Sequence, residues 1–348
     1  MKKNILKKMG VVFVSAAMLM TTACNTKIDV KYDFNALDYV TLGEYKGITA
    51  KVNTSAIETN LMDKKILNDQ KEYTTYHDVT RGAQDGDKLV MTYYATIGGT
   101  QVDGFSYEGY TMILGEDSFT LDGFTDALYG MTAGQTKVVT LKVPEDFEDD
   151  KTIAGSRIVF DITMSNVQQP DVPMITDAYV QQYFGCNTVA DYKAQVKNTV
   201  QEEIDNQTKQ AKEEAVLTQL QNIATVNSYP EGLLESKSEE LSKSISFYST
   251  MQEITVDEYC QTKFNMSFDD YVKNSVNQQL ILQAIVEKEQ LSMLEYDYKG
   301  NLESFAKDMG YTNKKTFEEK FGKDKIVKNM LMQQAQDIVM DNAVIEEY

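Results

Sequence analysis

The hydrophobic period of this chain changes once, near Pro170 and Pro173, and that change limits what it can fold into. Before the prolines, the runs DKLVMTYYATI, QTKVVTLKV and SRIVFDITM alternate apolar and polar residues, the pattern of strands with one buried face. Gly98-Gly99 marks a hairpin turn after the first run. The one helical signal in this region is short, about Gly123 to Gly130. Several strands around one short helix predict an α+β domain of about 85 residues. Beyond the prolines the apolar residues recur at helical spacing. Val200, Ile204, Ala211, Ala215, Leu220 and Ile223 share one face of a long helix. Val276, Leu280, Ala284 and Ile285 form a second such face, and Ile326, Met330 and Ala335 a third. The Pro230 and Gly300 regions read as helix breaks, so residues from about 174 to 348 are predicted to be all-α. Upstream, ALDYVTLGEYKGITAKV alternates around two glycines and reads as strand. Thr54 or Ser55 then caps a helix with Ile57, Leu61, Ile66 and Leu67 toward one side.

Composition excludes several functions. The net charge is −19, from 34 basic and 53 acidic residues, and no basic stripe interrupts it. Phosphate backbones need clustered Lys and Arg, so nucleic acid is not an expected partner. The chain has a single histidine, His77, in a polar stretch before a glycine turn that reads as surface. There is no CxxC and no Cys/His ligand spacing, so neither a metal nor a cofactor is expected, and Ser-His or Cys-His catalysis lacks material. Cys186 and Cys260 are either a disulfide pair or two small buried apolar residues.

The N-terminus has its own pattern. Lys2, Lys3, Lys7 and Lys8 precede an apolar run from Met9 to Met20, then Thr21-Thr22-Ala23-Cys24. The run is shorter than the roughly 20 residues a spanning helix needs and fits a secretory leader. A cysteine directly after a small residue resembles the lipobox of bacterial lipoproteins, although Thr21 stands where that family usually has Leu. The resemblance implies a signal peptide over 1–23, lipidation of Cys24, and attachment to the outer face of the cell membrane. Residues 24–36, polar and short, then read as a flexible tether. Loss of the leader removes four lysines and no acid, so the lipid rather than charge would hold the chain to an anionic surface.

The segments GDKLVMTYYATIGG, YTMILGEDSF, LDGFTDALYGMTAGQTKVVTLKVPEDF and AGSRIVFDITMSNV together resemble the FKBP-type peptidyl-prolyl isomerase domain, in the version found in trigger factor. VTLGEYKGITAKV resembles the segment before that domain. SYPEGLLESKSEEL, FDDYVKNSVNQQLILQAIVEKEQL and MLMQQAQDIVMDNAVI resemble the trigger factor C-terminal chaperone domain. The resemblance covers residues 37–348 in the family's order. It implies an α+β multidomain protein: an FKBP-like antiparallel sheet with one short helix over 84–168, inserted before an all-α trigger-factor-type chaperone domain over 169–348. Residues 37–83 would be a linker strand and helix packing on the helical domain. Nothing in the sequence resembles the family's basic ribosome-binding domain, and a leader stands in that place, so no ribosome contact is expected.

What the resemblance implies for chemistry can be stated residue by residue. Pocket walls would be Tyr93, Val102, Asp103, Tyr110, Phe119, Leu121, Phe124 and Phe160, with the Leu121 backbone N–H meeting the substrate carbonyl. Val102 stands where the family usually has Phe, and FTLDGF carries one residue more than the family's corresponding corner. Rotation about X–Pro faces a barrier of about 18–20 kcal/mol, set by amide resonance. A catalyst therefore needs a dry apolar pocket and a donor aimed at the twisted carbonyl, not a nucleophile. The helical domain would hold unfolded chains, for which its Met-rich faces suit adaptable contact. The expected function is an extracytoplasmic lipid-anchored foldase, both isomerase and chaperone, acting on newly secreted polypeptides with X–Pro bonds. The alternatives are a non-catalytic holdase and a dedicated protein-binding lipoprotein with a degenerate isomerase domain.

Overall fold

The structure is a computed structural model that describes residues 26–147, 150–252 and 254–348. The leader and the Cys24 lipidation site fall outside the described residues. The chain divides into two compact units, one of Asn60–Gln201, the other joining the residues up to Thr59 to Glu202–Tyr348. Among the described residues no helix is long and apolar enough to cross a membrane.

In chain order, β1 (Val40–Thr41), β2 (Thr49–Val52) and α1 (Thr54–Glu72) precede a six-stranded antiparallel sheet. The sheet comprises β3 (Thr75–Asp78), β4 (Lys88–Ile97), β5 (Thr100–Gln101), β6 (Tyr107–Ile113), β7 (Thr136–Lys142) and β8 (Arg157–Asp171). β8 is its spine, paired with β7, then β4, then β3 along its length. Gly98 and Gly99, both at positive φ, make the tight β4–β5 hairpin that the sequence predicts. The short helix α2 (Phe124–Leu128) buries Phe124 and Leu128 against the sheet.

Alternation decides which face is core. Leu89, Met91, Tyr93 and Ala95 of β4 point inward, as do Ile158, Phe160, Ile162 and Met164 of β8. The inward set of β8 then slips to Val167. Val90 pairs with Asn166 but Met91 pairs with Met164, so Ser165 is an extra residue, a bulge that restores the apolar face after an odd step. The sheet also extends past both ends expected from sequence. β3 pairs with Gln168–Asp171, and Pro170 is tolerated because β8 has a neighbour on one side only there. Arg81 grips buried Asp87 through two hydrogen bonds of 2.6 and 2.9 Å, and the Gln84 N–H donates to the same carboxylate. Gly82 is fixed by contact: a Cβ there would lie 2.6 Å from the Gly130 carbonyl oxygen.

In the same unit α3 (Asp177–Phe184) and the first turns of α4 (Val189–Ile223) pack Tyr179, Val180, Cys186, Tyr192 and Val196 against Met62, Ile66 and Tyr73. Buried Asp69 accepts from the Tyr192 hydroxyl at 2.6 Å and pairs with Lys65. Cys186 and Cys260 are both free and buried, so the apolar reading of the pair holds and the disulfide reading does not.

The second unit contains β9 (Thr225–Val226), α5 (Leu233–Met251), α6 (Val256–Phe264), α7 (Phe268–Lys288), α8 (Glu295–Asp308), α9 (Lys314–Phe321), α10 (Lys323–Asn342) and β10 (Val344–Glu347). Among the described residues it is mainly helical, with short strands at its edges. β9 pairs antiparallel with β1, and β10 pairs parallel with β2, so the predicted N-terminal strand segment is split and pairs within the helical unit. α7 is its axis, buried continuously from Leu280 to Val286. Gly300 does not break a helix: it lies inside α8, where burial of Tyr298, Leu302 and Ala306 outweighs a glycine cost of about 1 kcal/mol. The break falls at Glu289–Leu294, with Gln290 at a φ of 54°.

The expected flexible tether is instead docked. Ile28, Val30, Tyr32 and Phe34 pack on the helical core, and the Ile28 N–H donates to the Met293 carbonyl at 2.9 Å. These four residues alternate with polar ones, a strand signal that the segment's overall polarity hides. At the other end of the segment the Glu287 carboxylate accepts from the Ala36 and Leu37 N–H groups at 2.9 and 3.1 Å.

Because β3 and Arg81 are part of the sheet unit, a fragment of residues 73–172 is expected to unfold cooperatively at a higher urea midpoint than one of residues 84–168. Equal midpoints by circular dichroism would show that β3 and the Arg81–Asp87 pair add no stability.

Candidate active site

One inner face of the sheet unit is built of rings. Tyr93 arrives on β4, Phe160 on β8 beside it, Tyr110 on β6, Phe124 on α2, and Phe119 on the loop before α2. The pairing that puts Phe160 opposite Ala95 places it one inward position from Tyr93. Tyr93 makes edge contacts with Tyr110, Phe124 and Phe160 at centroid distances of 5.5, 5.3 and 6.0 Å. Phe124 meets Phe160 at 5.1 Å. Phe119 stacks on Phe124 at 3.8 Å and 18°. Burial pushes the Tyr93 hydroxyl up to about 12, with the Tyr110 and Tyr107 hydroxyls adding to the effect, so it is a neutral donor at any physiological pH.

The remaining candidates divide. Leu121 and Val102 are buried in the same core. The Val102 N–H is spent on the Ala95 carbonyl at 2.9 Å. The Leu121 N–H has no acceptor among the described residues, while its carbonyl accepts from the Phe124 N–H at 3.3 Å. A backbone N–H of a residue in the ring-lined core is therefore without a partner among the described residues. Asp103 stands apart: it is exposed after β5 and makes no hydrogen bond among the described residues. The sequence reading did not single out Tyr107, whose ring meets Tyr110 at 5.6 Å, or the pairing of Phe105 with Phe147 at 6.1 Å. Each aromatic lies beside a glycine, serine or proline turn, where period-two counting carries no information.

The helical unit has a cavity of about 670 Å³, with Glu213, Leu217, Phe264, Met266, Tyr271 and Gln336 in its wall. Phe264 and Tyr271 stack at 4.3 Å. Burial pushes the Glu213 carboxyl up to about 7; Asp337 pushes the same way and Lys209 opposes. Asp337 itself rises to about 6, by burial and then the charge of Asp341, again opposed by Lys209.

Comparison with known proteins fits this division. The FKBP-type peptidyl-prolyl cis-trans isomerase family matches residues 79–165, and the bacterial trigger factor C-terminus matches residues 188–345. The chain is thus an FKBP-type domain joined to a trigger factor C-terminal domain. It is homologous to trigger factor along most of its length. The trigger factor of Agathobacter rectalis is 24% identical over 315 residues, covering 87% of this chain and 70% of that protein. That of Limosilactobacillus reuteri is 26% identical over 319 residues, covering 89% and 72%. A solved structure of the trigger factor chaperone covers 87% of this chain and 72% of its own at 14% identity, with a TM-score of 0.46, too loose a fit to transfer geometry.

Phe160 is fully buried at the centre of the rings. Phe160→Ala is expected to lower the unfolding free energy of the sheet unit by about 3–5 kcal/mol. Exposed Asp103→Ala should change it by no more than about 0.5 kcal/mol. Chemical denaturation of both variants checks the contrast, and equal effects would contradict the ring-centred packing.

The raised carboxyls set a pH dependence in the helical unit. Glu213 and Asp337 bind protons more tightly when folded than unfolded, so their contribution is present at low pH and lost as pH rises through about 6 to 7. The unfolding midpoint should fall between pH 5 and pH 8, and Glu213→Gln should flatten that fall. A profile that rises over this range in the native chain would show that burial is not the dominant influence.

Proposed function

We propose that this protein is a foldase held by a lipid outside the cytoplasm, which turns X–Pro bonds in unfolded secreted chains and shields them while they fold. The observation that carries the isomerase half is the Leu121 N–H, without an acceptor among the described residues, on a residue of the same buried cluster as Tyr93, Phe124 and Phe160. An apolar wall removes water from the amide, and loss of solvation favours the twisted, less polar state in which resonance is broken. A fixed N–H donating to the carbonyl oxygen stabilises that geometry without forming a bond. The reaction needs no acid, base or metal ion.

The chaperone half rests on the trigger factor C-terminal match and on the surface it displays. Phe247 and Met251 of α5 are exposed, and the cavity wall mixes stacked rings, Met266 and amide groups. Such a surface meets apolar and polar stretches of an unfolded chain alike. The address rests on the basic and apolar leader and the Ala23-Cys24 junction. Chains crossing a membrane emerge unfolded, with prolines that isomerise in tens of seconds, so both activities are useful at that place.

The test combines three readouts on the full chain. Proline-limited refolding of a model protein should accelerate with the native protein and slow with Phe124→Ala. Suppression of aggregation should persist in that variant, since it belongs to the helical unit. Cys24→Ser should move the protein from the membrane to the soluble fraction. No acceleration by the native protein would remove the isomerase, and an unchanged membrane fraction would remove the lipid anchor.

A further inference from the structure

Phe119 sits in an odd place for a wall. Its ring lies on the face of Phe124 at 3.8 Å and 18°, and it meets Tyr93, Phe160 and Tyr110 edge-on at 5.6, 5.9 and 6.3 Å. Phe119 thus touches all four other rings, as Tyr93 does, yet Phe119 is only partly buried while Tyr93, Phe124 and Phe160 are buried. Contact between aromatic carbons is itself about 3.5–4.0 Å, so nothing can enter between Phe119 and Phe124. The flat face of Phe124 is the surface on which a prolyl ring would stack, and a side chain of the protein itself already covers it.

The loop that carries Phe119 is pinned at both ends and free between them. Asp117 ties the first end, accepting from the Ile113 N–H at 2.7 Å and donating its own N–H to the Ile113 carbonyl at 3.0 Å. The Phe124 N–H to Leu121 carbonyl bond ties the second. Ser118, Phe119 and Thr120 make no hydrogen bond among the described residues, and Ser118 and Thr120 are exposed. What holds the segment is the ring of Phe119 alone. FTLDGF is the corner with one residue more than the pattern it resembles, which gives the chain the length to fold that ring inward.

We infer that Phe119 is an internal gate: its ring occupies the ring-lined cup, and a prolyl substrate binds only by displacing it. The inference rests on the reading of this cup as a prolyl site. It makes Phe119 a determinant of access and specificity. Apparent affinity falls by the fraction of time the cup is open, so short prolyl peptides bind weakly. Residues of a long client flanking the proline supply additional contacts that favour displacement.

The test uses the full chain, a proline tetrapeptide with leucine before the proline, and benzene as a probe of an empty apolar space. Phe119→Ala is expected to bind benzene where the native protein does not, and to raise kcat/KM for the peptide at least tenfold. A folded Phe119→Ala that takes up no benzene and isomerises the peptide no faster overturns the gate. Benzene uptake without any gain toward the peptide supports the occupied cup and sinks the isomerase reading instead. A measurement on the native protein guards against a variant that fails to fold. In the stack, the Phe119 ring protons are shifted upfield by Phe124, and saturating peptide should move them to ordinary aromatic positions. Peptide binding that leaves them shifted overturns the gate.

Discussion

Everything in the sheet unit depends on the pairing of β4 with β8. It runs from Lys88 opposite Gln168 to Thr96 opposite Val159, and it sets Tyr93 and Phe160 on the same inner face. A slip of one residue would turn both rings to solvent and bring Thr92 and Asp161 inward. The bulge at Ser165 is what reconciles two stretches of β8 whose apolar residues are out of phase. Without it, either Phe160 or Val167 would face outward. Ring geometry, and with it any use of the Leu121 N–H, follows from this register.

Much of this was legible in the sequence, for a definite reason. Tyr93, Phe160 and the β7 run sit in strict alternation, so side-chain period reports their face directly. The Gly98-Gly99 turn and the extent of α2 were equally readable, since glycine punctuates both. What alternation could not show was the position of Phe119. Between Gly115 and Gly123 the chain has no period, and whether a ring there lines a space or fills it depends on loop length and packing. The bulge at Ser165 was hidden similarly, because one extra residue looks like the end of a strand. Strand β3 was missed because TYHD has no apolar face to alternate, and its bonds to Gln168–Asp171 are a matter of backbone.

The helical unit shows the opposite balance. The apolar faces of α7 and α10 were plain in the sequence, and Val276, Leu280, Ala284, Ile326, Met330 and Ala335 are all buried. Gly300 misled, since one glycine weighs little against three buried neighbours on the same helix. The N-terminal segment misled more, because IDVKYDF is charged enough to read as solvated. Its alternate residues are nonetheless apolar, and buried Gln283 donates to the Phe34 carbonyl at 3.1 Å while Glu287 holds the next turn. Polar side chains at the end of α7 thus fix a segment that composition alone leaves loose.

These contacts place residues 26–52 and the C-terminal strand in one unit. Residues 26–52 pack or pair there, and Val344–Glu347 lies along Thr49–Val52 in parallel register. The sheet unit is therefore an insertion, contiguous in sequence, into a unit that is not. All the pairings of the sheet, the longest of which joins β3 to the end of β8, close within residues 75–171, whereas β10 meets β2 only after some three hundred residues have intervened. Closing so long a loop costs only logarithmically more entropy than a short one, but it cannot begin before the last strand exists. During synthesis the sheet unit has all its strands once Asp171 has emerged, and it gains nothing from waiting. The helical unit must keep α7, the helix with the most buried residues, without α10 until the end of the chain arrives. A protein with an acidic surface and few basic residues has help in that interval, because net charge keeps partly folded chains apart. The strong negative charge thus bears on how the chain folds as well as on what it binds.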